Sequence, residues 1–353
     1  MSRRLSKKVR VGNIFIGADA PVSVQSMLNR PVDDFEANIE QAKQLEKSGC
    51  EIIRVSVLNS KTVPLISKLK ETVAVPIVAD IHFKHRLAIE SVAAGADKIR
   101  INPGNIGDDQ KVKEVVDACK ERQVPIRIGV NSGSVEKELL AKYGGPTAEA
   151  MAESAMNHVK LLEKFDFDDI VISIKSSDVA TMVESYERVA ELCSYPLHLG
   201  VTEAGTYQTS LIKSSAGLGA LLLKGIGDTI RVSMADDPVR EVEAGFDILK
   251  ALNIRRKGPT LIVCPTCGRT RINLIKLAED VEEMLKPYEE AITVAVMGCD
   301  VNGPGEASHA DIGIAGGVGI ARIFKEGKLI ITVPEEEALQ ALKEEIDKML
   351  GYI

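Results

Sequence analysis

The sequence predicts an α/β protein in which an eight-stranded parallel barrel is followed by a smaller α/β unit. Three observations carry this. Eight short β-branched runs recur with helical stretches between them, the pattern of a parallel sheet. They occupy roughly 250 residues, the size and count of a (β/α)8, or TIM, barrel. Beyond them a basic connector, Arg255-Arg256-Lys257-Gly258-Pro259, precedes a shorter set of strands and helices. The expected division is therefore 1–254 for the barrel and 255–353 for the second unit.

In chain order, the barrel strands are expected at 22–27, 51–57, 76–82, 98–102, 125–131, 170–175, 197–203 and 229–234. Helices are expected between them, among others at 34–48, 84–94, 110–122 and 148–165, and the eighth at 238–252 completes the ring. The fifth connection is the longest. Its opening, 132–147, contains Gly133, Gly144, Gly145 and Pro146 and reads as an extended loop over the barrel mouth. The basic start, MSRRLSKKVRVGN, reads as a solvated lead-in to the first strand. In the second unit, strands are expected at 261–263, 291–297, 312–315, 320–325 and 328–333, with helices at 273–286 and 335–350. The run AGGVGIA at 315–321 lacks the GK[ST] ending of a phosphate loop and predicts a tight turn.

Composition narrows the class. The chain has 353 residues, 45% of them hydrophobic and 27% charged, and its six cysteines are too few for a disulfide framework. No apolar run approaches the roughly 18 residues of a membrane span, and the start lacks the apolar stretch of a signal peptide. A cytoplasmic protein, neither secreted nor inserted in a membrane, is expected. A net charge of -7 argues against broad nucleic-acid binding, because affinity for a phosphate backbone comes from clustered Lys and Arg.

The polar residues of the strands follow the two-residue alternation of side chains. Arg54 shares a face with Ser56, Asp80 with His82, Arg100 with Asn102, and Arg127 with Asn131, while Val55, Ile81, Ile101 and Ile128 point the other way. Ser173 with Lys175, Val201 with Glu203, and Arg231 with Ser233 continue the pattern. The apolar face must meet the helices, so the charged face lines the lumen or its C-terminal rim, where active sites of this fold lie. Cationic or imidazole groups from six strands converge there. Asp80 and Glu203 are too few to balance them, and unpaired buried charge is costly. Arginine suits bidentate phosphate recognition, so a compact diphosphate is the expected guest. The plainer reading is a charged core held by internal salt bridges.

Cys264 and Cys267 form a CxxC pair, followed by Cys299 in MGCDVNGPGE, which ends on Glu306. Three soft sulfur donors suit zinc or an iron-sulfur centre, with Glu306 or His309 as the fourth ligand. Spacing leaves the two metals open. A carboxylate after the flexible Gly303-Pro304-Gly305 would hold iron loosely enough to exchange for a substrate oxygen. Cys50, Cys119 and Cys193 stand singly and read as small buried hydrophobes.

The ordered set VQSM, RVSV, ADIHF, KIRINPGN, RIGVNSGS, ISIKSS, VTEAG and IRVSM, followed by CPTCGRT and GCDVNGPGEASHADIGIAGG, closely resembles the bacterial 4-hydroxy-3-methylbut-2-enyl diphosphate synthase family of the methylerythritol phosphate pathway. The resemblance covers nearly the whole chain. It implies a TIM barrel followed by a small α/β domain carrying a 4Fe-4S cluster on Cys264, Cys267, Cys299 and Glu306. It implies reductive ring opening of a cyclic diphosphate, with flavodoxin or ferredoxin as electron donor. Carried over by motif, Arg54, His82, Arg100, Arg127, Asn131, Lys175, Arg231 and Ser233 would hold the diphosphate. Glu203 would act as proton donor or charge organiser, and Asn302 would assist from the cluster side. The eighth helix leads back to the N-terminal face of the barrel, about 22 Å at about 1.5 Å per residue. A head-to-tail homodimer is therefore expected, with the second unit of one copy over the mouth of the other and 255–258 as hinge. The competing readings are an iron-sulfur sensor with a ligand-binding barrel, and a zinc-stabilised barrel enzyme acting on another phosphorylated metabolite.

Overall fold

The computed structural model describes residues 3–256, 258–299 and 310–353 and divides into two compact units, Met1–Arg255 and Arg256–Ile353.

The first unit opens with a hairpin, β1 (Val9–Val11) and β2 (Ile14–Ile16), and continues with eight parallel strands. These are β3 (Ser23–Met27), β4 (Ile52–Ser56), β5 (Ile77–Asp80), β6 (Lys98–Ile101), β7 (Ile126–Asn131), β8 (Ile170–Lys175), β9 (His198–Leu199) and β10 (Thr229–Ile230). Their order is β8-β7-β6-β5-β4-β3-β10-β9, and a parallel bridge from Ile172 to Leu197 closes the ring. The barrel is thus an α/β TIM fold, as expected. The last two strands are shorter than the expected 197–203 and 229–234. Pairing nevertheless runs on past them, through Arg231 N to Leu199 O at 2.9 Å and Thr202 N to Ser176 O at 3.2 Å.

Eight helices surround the strands: α1 (Phe35–Lys47), α2 (Pro64–Thr72), α3 (His85–Ala93), α5 (Asp109–Arg122), α7 (Ala148–Glu163), α8 (Val179–Leu192), α9 (Tyr207–Leu223) and α10 (Pro238–Ala251). Two short ones, α4 (Pro103–Ile106) and α6 (Lys137–Tyr143), lie in the connections after β6 and β7. Local chemistry sets their starts. Asp34, Asp108, Thr147, Asp178 and Asp237 each accept a hydrogen bond from a backbone N–H in the first turn that follows, contributing about 0.5–2 kcal/mol per cap. Val55, Ile81, Ile101 and Ile128 pack into the layer between strands and helices, the outward face that alternation predicts.

The N-terminal segment departs from expectation. It is not a solvated lead-in but a plug. Val9, Val11 and Ile16 are fully buried against Ile52, Val78 and Val171, the first inward-facing residues of β4, β5 and β8. Buried Asp228 anchors the irregular segment before the hairpin, accepting from Arg3 Nη2 and Ser6 Oγ, both at 2.7 Å, and from Leu197 N at 2.8 Å. Arg4 donates to the carbonyls of Ala190, Cys193 and Tyr195. Gly12, at φ 57°, makes the turn. A Cβ there would lie 2.8 Å from Asp97 Oδ1.

The second unit is a five-stranded sheet in the order β11 (Thr260–Val263), β12 (Thr293–Met297), β13 (Ile312–Gly317), β14 (Ile320–Lys325), β15 (Lys328–Pro334). The first three are parallel and the last two antiparallel. Helices α11 (Leu274–Leu285) and α12 (Ala338–Leu350) cover one face, where Leu274, Val281, Leu342 and Ile346 pack on Val294, Val296, Ile312 and Ile314. The glycine-rich run forms the expected tight turn, from Gly317 to Ile320 with Gly319 at φ 69°. Expected at 335, the last helix instead begins at Ala338, after a 3-10 turn, Glu335–Glu337.

Candidate active site

Strand alternation delivers the cations to the lumen, and Asp80 organises three of them. Its carboxylate accepts from Arg54 Nη2 at 2.8 Å and Arg100 Nη1 at 3.2 Å, and His82 Nε2 lies 3.3 Å away. Burial would raise the Asp80 pKa, but Arg54, His82 and Arg100 outweigh it and hold the carboxyl well below its usual range. Arg100 lies against the neighbouring strand, with Nη2 3.5 Å from Gly129 O. A Cβ on Gly129 would sit 2.3 Å from Arg100 Nε. The glycine of RIGVN therefore makes room for the arginine of KIRIN.

Arg231 is held differently. Its Nε and Nη2 reach the two oxygens of Glu241 at 3.2 and 3.1 Å, and Glu241 also accepts from Ser26 Oγ at 2.8 Å and Met234 N at 3.1 Å. Glu241 lies in the first turn of α10 and is buried. Strand periodicity could not locate it, because the carboxylate comes from a helix. Glu203, the expected second carboxylate, is exposed, with a left-handed backbone at φ 51°. Among the described residues it forms no hydrogen bond or ion pair with the ring. On this segment His198, Gly200, Val201 and Thr202 reach the cavity, while Leu199 packs in the outer core. The expected Val201–Glu203 face is therefore met at Val201 and not at Glu203.

A cavity of about 260 Å³ opens where Arg54, Lys175, Arg231 and Ser233 meet, with Tyr186, His198 and Thr202. Four of the predicted residues thus share one space, and His82 and Arg100 join Arg54 through Asp80. Half-buried Asn131 begins a 3-10 turn, its N–H donating to Ser134 Oγ at 3.2 Å, and Asn102 Nδ2 donates to the same oxygen at 2.9 Å. Arg127 is fully buried, and its Nη1 donates to Gln25 Oε1 at 3.4 Å.

The electrostatics are those of a cationic cup. Lys175 is pushed well below the ordinary lysine range, first by Arg54, then by burial and by Arg100, Arg127 and Arg231. His198 is held well below its ordinary value by burial, then Arg127, Lys98 and Lys175. Arg54 Nε and Nη1, Arg100 Nε, and Arg127 Nε and Nη2 are buried without hydrogen-bond partners among the described residues. Buried donors of this kind are costly unless an acceptor reaches them. The arrangement suits a compact polyanion.

The thiols lie in the second unit. Cys264 directly follows β11 and Cys299 lies two residues past β12, so the two occupy the carboxyl ends of adjacent parallel strands, where ligands of open α/β sheets gather. Gly298 N donates to Cys264 Sγ at 3.2 Å, and Arg271 N donates to Gly298 O at 2.8 Å, tying the two loops together. Exposed Cys267 is lowered by its hydrogen bonds with the Arg269 backbone and side chain, which favours thiolate. Among the described residues, no three such side chains are gathered in metal-holding geometry. Asn302, Glu306 and His309 lie outside the described residues. The donors fit an iron-sulfur group in kind: soft sulfurs, one lowered toward thiolate and one accepting a backbone N–H. As expected, Cys50 and Cys119 are buried, each pushed up to about 12 by burial, while Cys193 is half-buried.

Fold and site together define a two-unit protein, a TIM barrel with a cationic mouth joined to a cysteine-bearing α/β unit. The chain belongs to the GcpE family: residues 6–246 match the GcpE TIM-barrel domain and 260–348 the GcpE protein C-terminal domain. It is 52% identical over 349 residues to a protein of Ruminiclostridium cellulolyticum, with 99% of each chain covered. Identity is 54% over 346 residues to one of Clostridium tetani, covering 98% of this chain and 99% of that protein. Both relatives are named 4-hydroxy-3-methylbut-2-en-1-yl diphosphate synthase (flavodoxin). Among solved structures, dihydropteroate synthase from Stenotrophomonas maltophilia matches with a TM-score of 0.53 at 17% identity, covering 70% of this chain and 97% of that one. That likeness concerns the barrel fold alone. Among the described residues no helix is long and apolar enough to cross a membrane.

Proposed function

We propose that this chain is a 4-hydroxy-3-methylbut-2-en-1-yl diphosphate synthase. It opens the ring of 2-C-methyl-D-erythritol 2,4-cyclodiphosphate to (E)-4-hydroxy-3-methylbut-2-enyl diphosphate, taking up two electrons and two protons and releasing water. The observation that carries this reading is identity above half, over nearly the full length of both chains, with relatives of that name. The cationic cup supports the substrate class. Reduced flavodoxin is the electron donor, following the relatives' names, with ferredoxin as the alternative. The sensor reading finds no support in those names, which are all those of an enzyme. The reaction belongs to the cytoplasm.

In this reading residues 1–254 bind substrate and 255–353 carry the cluster. Arg54, Arg100, Arg127, Lys175 and Arg231 neutralise the diphosphate, and His82, Asn131 and Ser233 complete its hydrogen bonds. Their placement is built before substrate arrives, because Asp80 and Glu241 fix three of the arginines, so little reorganisation is left for the reaction. Glu203, exposed at the rim, donates a proton or orients charge beside the reacting carbons, and Asn302 assists. Cys264, Cys267, Cys299 and Glu306 would hold a 4Fe-4S cluster, which supplies single electrons and a Lewis-acidic iron.

We propose a head-to-tail homodimer, a reading supported by where the barrel ends. Arg255 donates to Val22 O at 2.9 Å and to Glu51 at 3.0 and 3.2 Å. Both residues immediately precede the strands β3 and β4, so the chain leaves the barrel at the face opposite the mouth. The second unit of another copy then serves this mouth, with 255–258 as hinge. Mixing Arg100→Ala and Cys299→Ser subunits should restore activity in heterodimers. The whole reading is tested by turnover of the cyclic diphosphate with reduced flavodoxin. Electron paramagnetic resonance of the anaerobically reconstituted, dithionite-reduced protein should also show a cluster signal that shifts on adding substrate. Stoichiometric zinc in place of iron would overturn the redox assignment.

A further inference from the structure

Below the ring that the proposed reaction uses lies a second polar layer with no assigned role. Lys98, the first residue of β6, is fully buried and shares the inward face of its strand with Arg100. It does not line the cavity that Lys175 helps to form. Among the described residues its Nζ has no hydrogen-bond partner, and Nδ1 of buried His198 also has none.

The charge balance of the lumen is uneven. Arg54, Arg100, Arg127, Arg231, Lys98 and Lys175 face Asp80 and Glu241, the only carboxylates among the described residues bonded to any of them. Asp80 is committed to Arg54 and Arg100, with His82 beside it, and Glu241 to Arg231. Lys98 and its neighbour Arg127, which reaches up into the ring, therefore have no counter-ion among the described residues. Arginine cannot shed its proton there, but lysine can.

We propose that Lys98 is a proton acceptor coupled to substrate binding, an uncharged amine in the free barrel that becomes charged when the diphosphate docks above it. This rests on the reading of the substrate given above. Burial and then Arg127 place the Lys98 amine well below the ordinary lysine range, in line with the missing counter-ion. Of the other groups facing this layer, His198 is neutral for the same reason, and the Tyr186 hydroxyl is pushed up by burial. A bound diphosphate reverses the field that these cations impose, so the group held neutral by that field takes up a proton. Lys98 thereby becomes a positioning residue. It adds positive charge beneath the diphosphate only when the diphosphate is present, which spares the free barrel one buried cation.

Each phosphorus of the cyclic diphosphate carries one ester and one anhydride link, leaving a single strongly acidic hydroxyl whose charge is constant through neutral pH. Proton uptake on binding therefore reports on the protein. The test is isothermal titration calorimetry of the anaerobically reconstituted full chain with the cyclic diphosphate, without reductant, in buffers of differing ionisation enthalpy. Wild type should take up between about one and two protons per ligand, and Lys98→Met about one fewer while still binding. The pH dependence of Kd should flatten in parallel, and His198→Gln should leave the uptake intact. Unchanged uptake in Lys98→Met, or binding by wild type without uptake, overturns the proposal alone; no binding by wild type overturns the substrate reading. If Lys98→Met does not fold, the Lys175→Arg protein labelled at the lysine ε-carbon decides the matter. One resonance should report an uncharged amine at neutral pH, and ordinary titration by every lysine sinks the idea.

Discussion

The two ends of the barrel are built by one rule and serve opposite purposes. At the N-terminal end Ile52, Val78 and Val171 face inward, capped by the hairpin side chains Val9, Val11 and Ile16. Two positions further along the same strands, the inward residues are Arg54, Asp80 and Ser173, and Arg100 and Arg127 join them from β6 and β7. Backbone geometry and register do not change between the two levels. What changes is the source of stability. The lower end gains from area removed from water, about 1.5–3 kcal/mol for each large buried side chain. The upper end retains polar groups that folding would be cheaper without. A barrel can tolerate such a mouth because its floor is dry and closed.

The comparison breaks most visibly at the polar anchor of the floor. Asp228 holds Arg3, Ser6 and the Leu197 N–H while buried. Asp228→Ala should cost about 3–5 kcal/mol of stability, by analogy with breaking a buried charge pair. Urea unfolding would measure it, and turnover per folded molecule should remain within about twofold, since nothing at the mouth is touched. The converse change is Gly129→Ala, whose methyl would displace Arg100. Turnover should fall about 10²–10³-fold, the usual cost of losing a preorganised electrostatic donor. Overpacking should cost about 1–3 kcal/mol of stability. If activity survived intact, the preorganised cup would be the wrong description of this site.

Most of the barrel was legible because period-two alternation and β-branched runs are local properties, and Arg54, Asp80, Arg100 and Arg127 fall on the predicted face. The failures share a cause. Glu241 reaches the lumen from the first turn of a helix, so no strand pattern could reveal it. Glu203 was assigned inward as though the strand continued to it, whereas the strand ends at Leu199 and Glu203 itself is an exposed left-handed residue. The hairpin had a readable signal, Gly12-Asn13 between apolar alternations, but the surrounding basic residues suggested solvent. Those basic side chains pair with Asp228 and with backbone carbonyls, partners supplied by tertiary contacts alone. The second unit's sheet was legible in the same local way, whereas its thiols stand on the loops that follow β11 and β12.

The pH dependence of stability separates the layers of the barrel. His198 and His158 are both buried with pKa values lowered by burial, so between their folded values and about 6.5 the unfolded chain binds more protons. Stability should rise with pH through that window and decline as pH falls from about 6.5 toward 5, by at most about 1.4 kcal/mol per pH unit per group. His198→Gln should remove part of that slope. Asp80 acts lower: its depressed pKa contributes stability that is present above about 4 and lost as pH falls further. Chemical denaturation at pH 7, 6 and 5 checks the first effect, and an unchanged slope in His198→Gln would mean that His198 is not held neutral.

The smallest expected effect tests the floor itself. Ile16 is fully buried beneath the barrel against the first inward layer, and Ile16→Val removes one methylene from a closed apolar contact. A loss of about 0.5–1.5 kcal/mol is expected. If the floor acts only as a lid on the core, that loss appears in the unfolding midpoint while the Kd for the cyclic diphosphate stays unchanged. If instead it keeps water from the Lys98 layer, the same substitution should also reduce proton uptake on binding, because a hydrated Lys98 would already carry its charge in the free barrel. Measuring uptake in Ile16→Val therefore distinguishes a floor that merely stabilises from one that sets the electrostatics of the mouth above it.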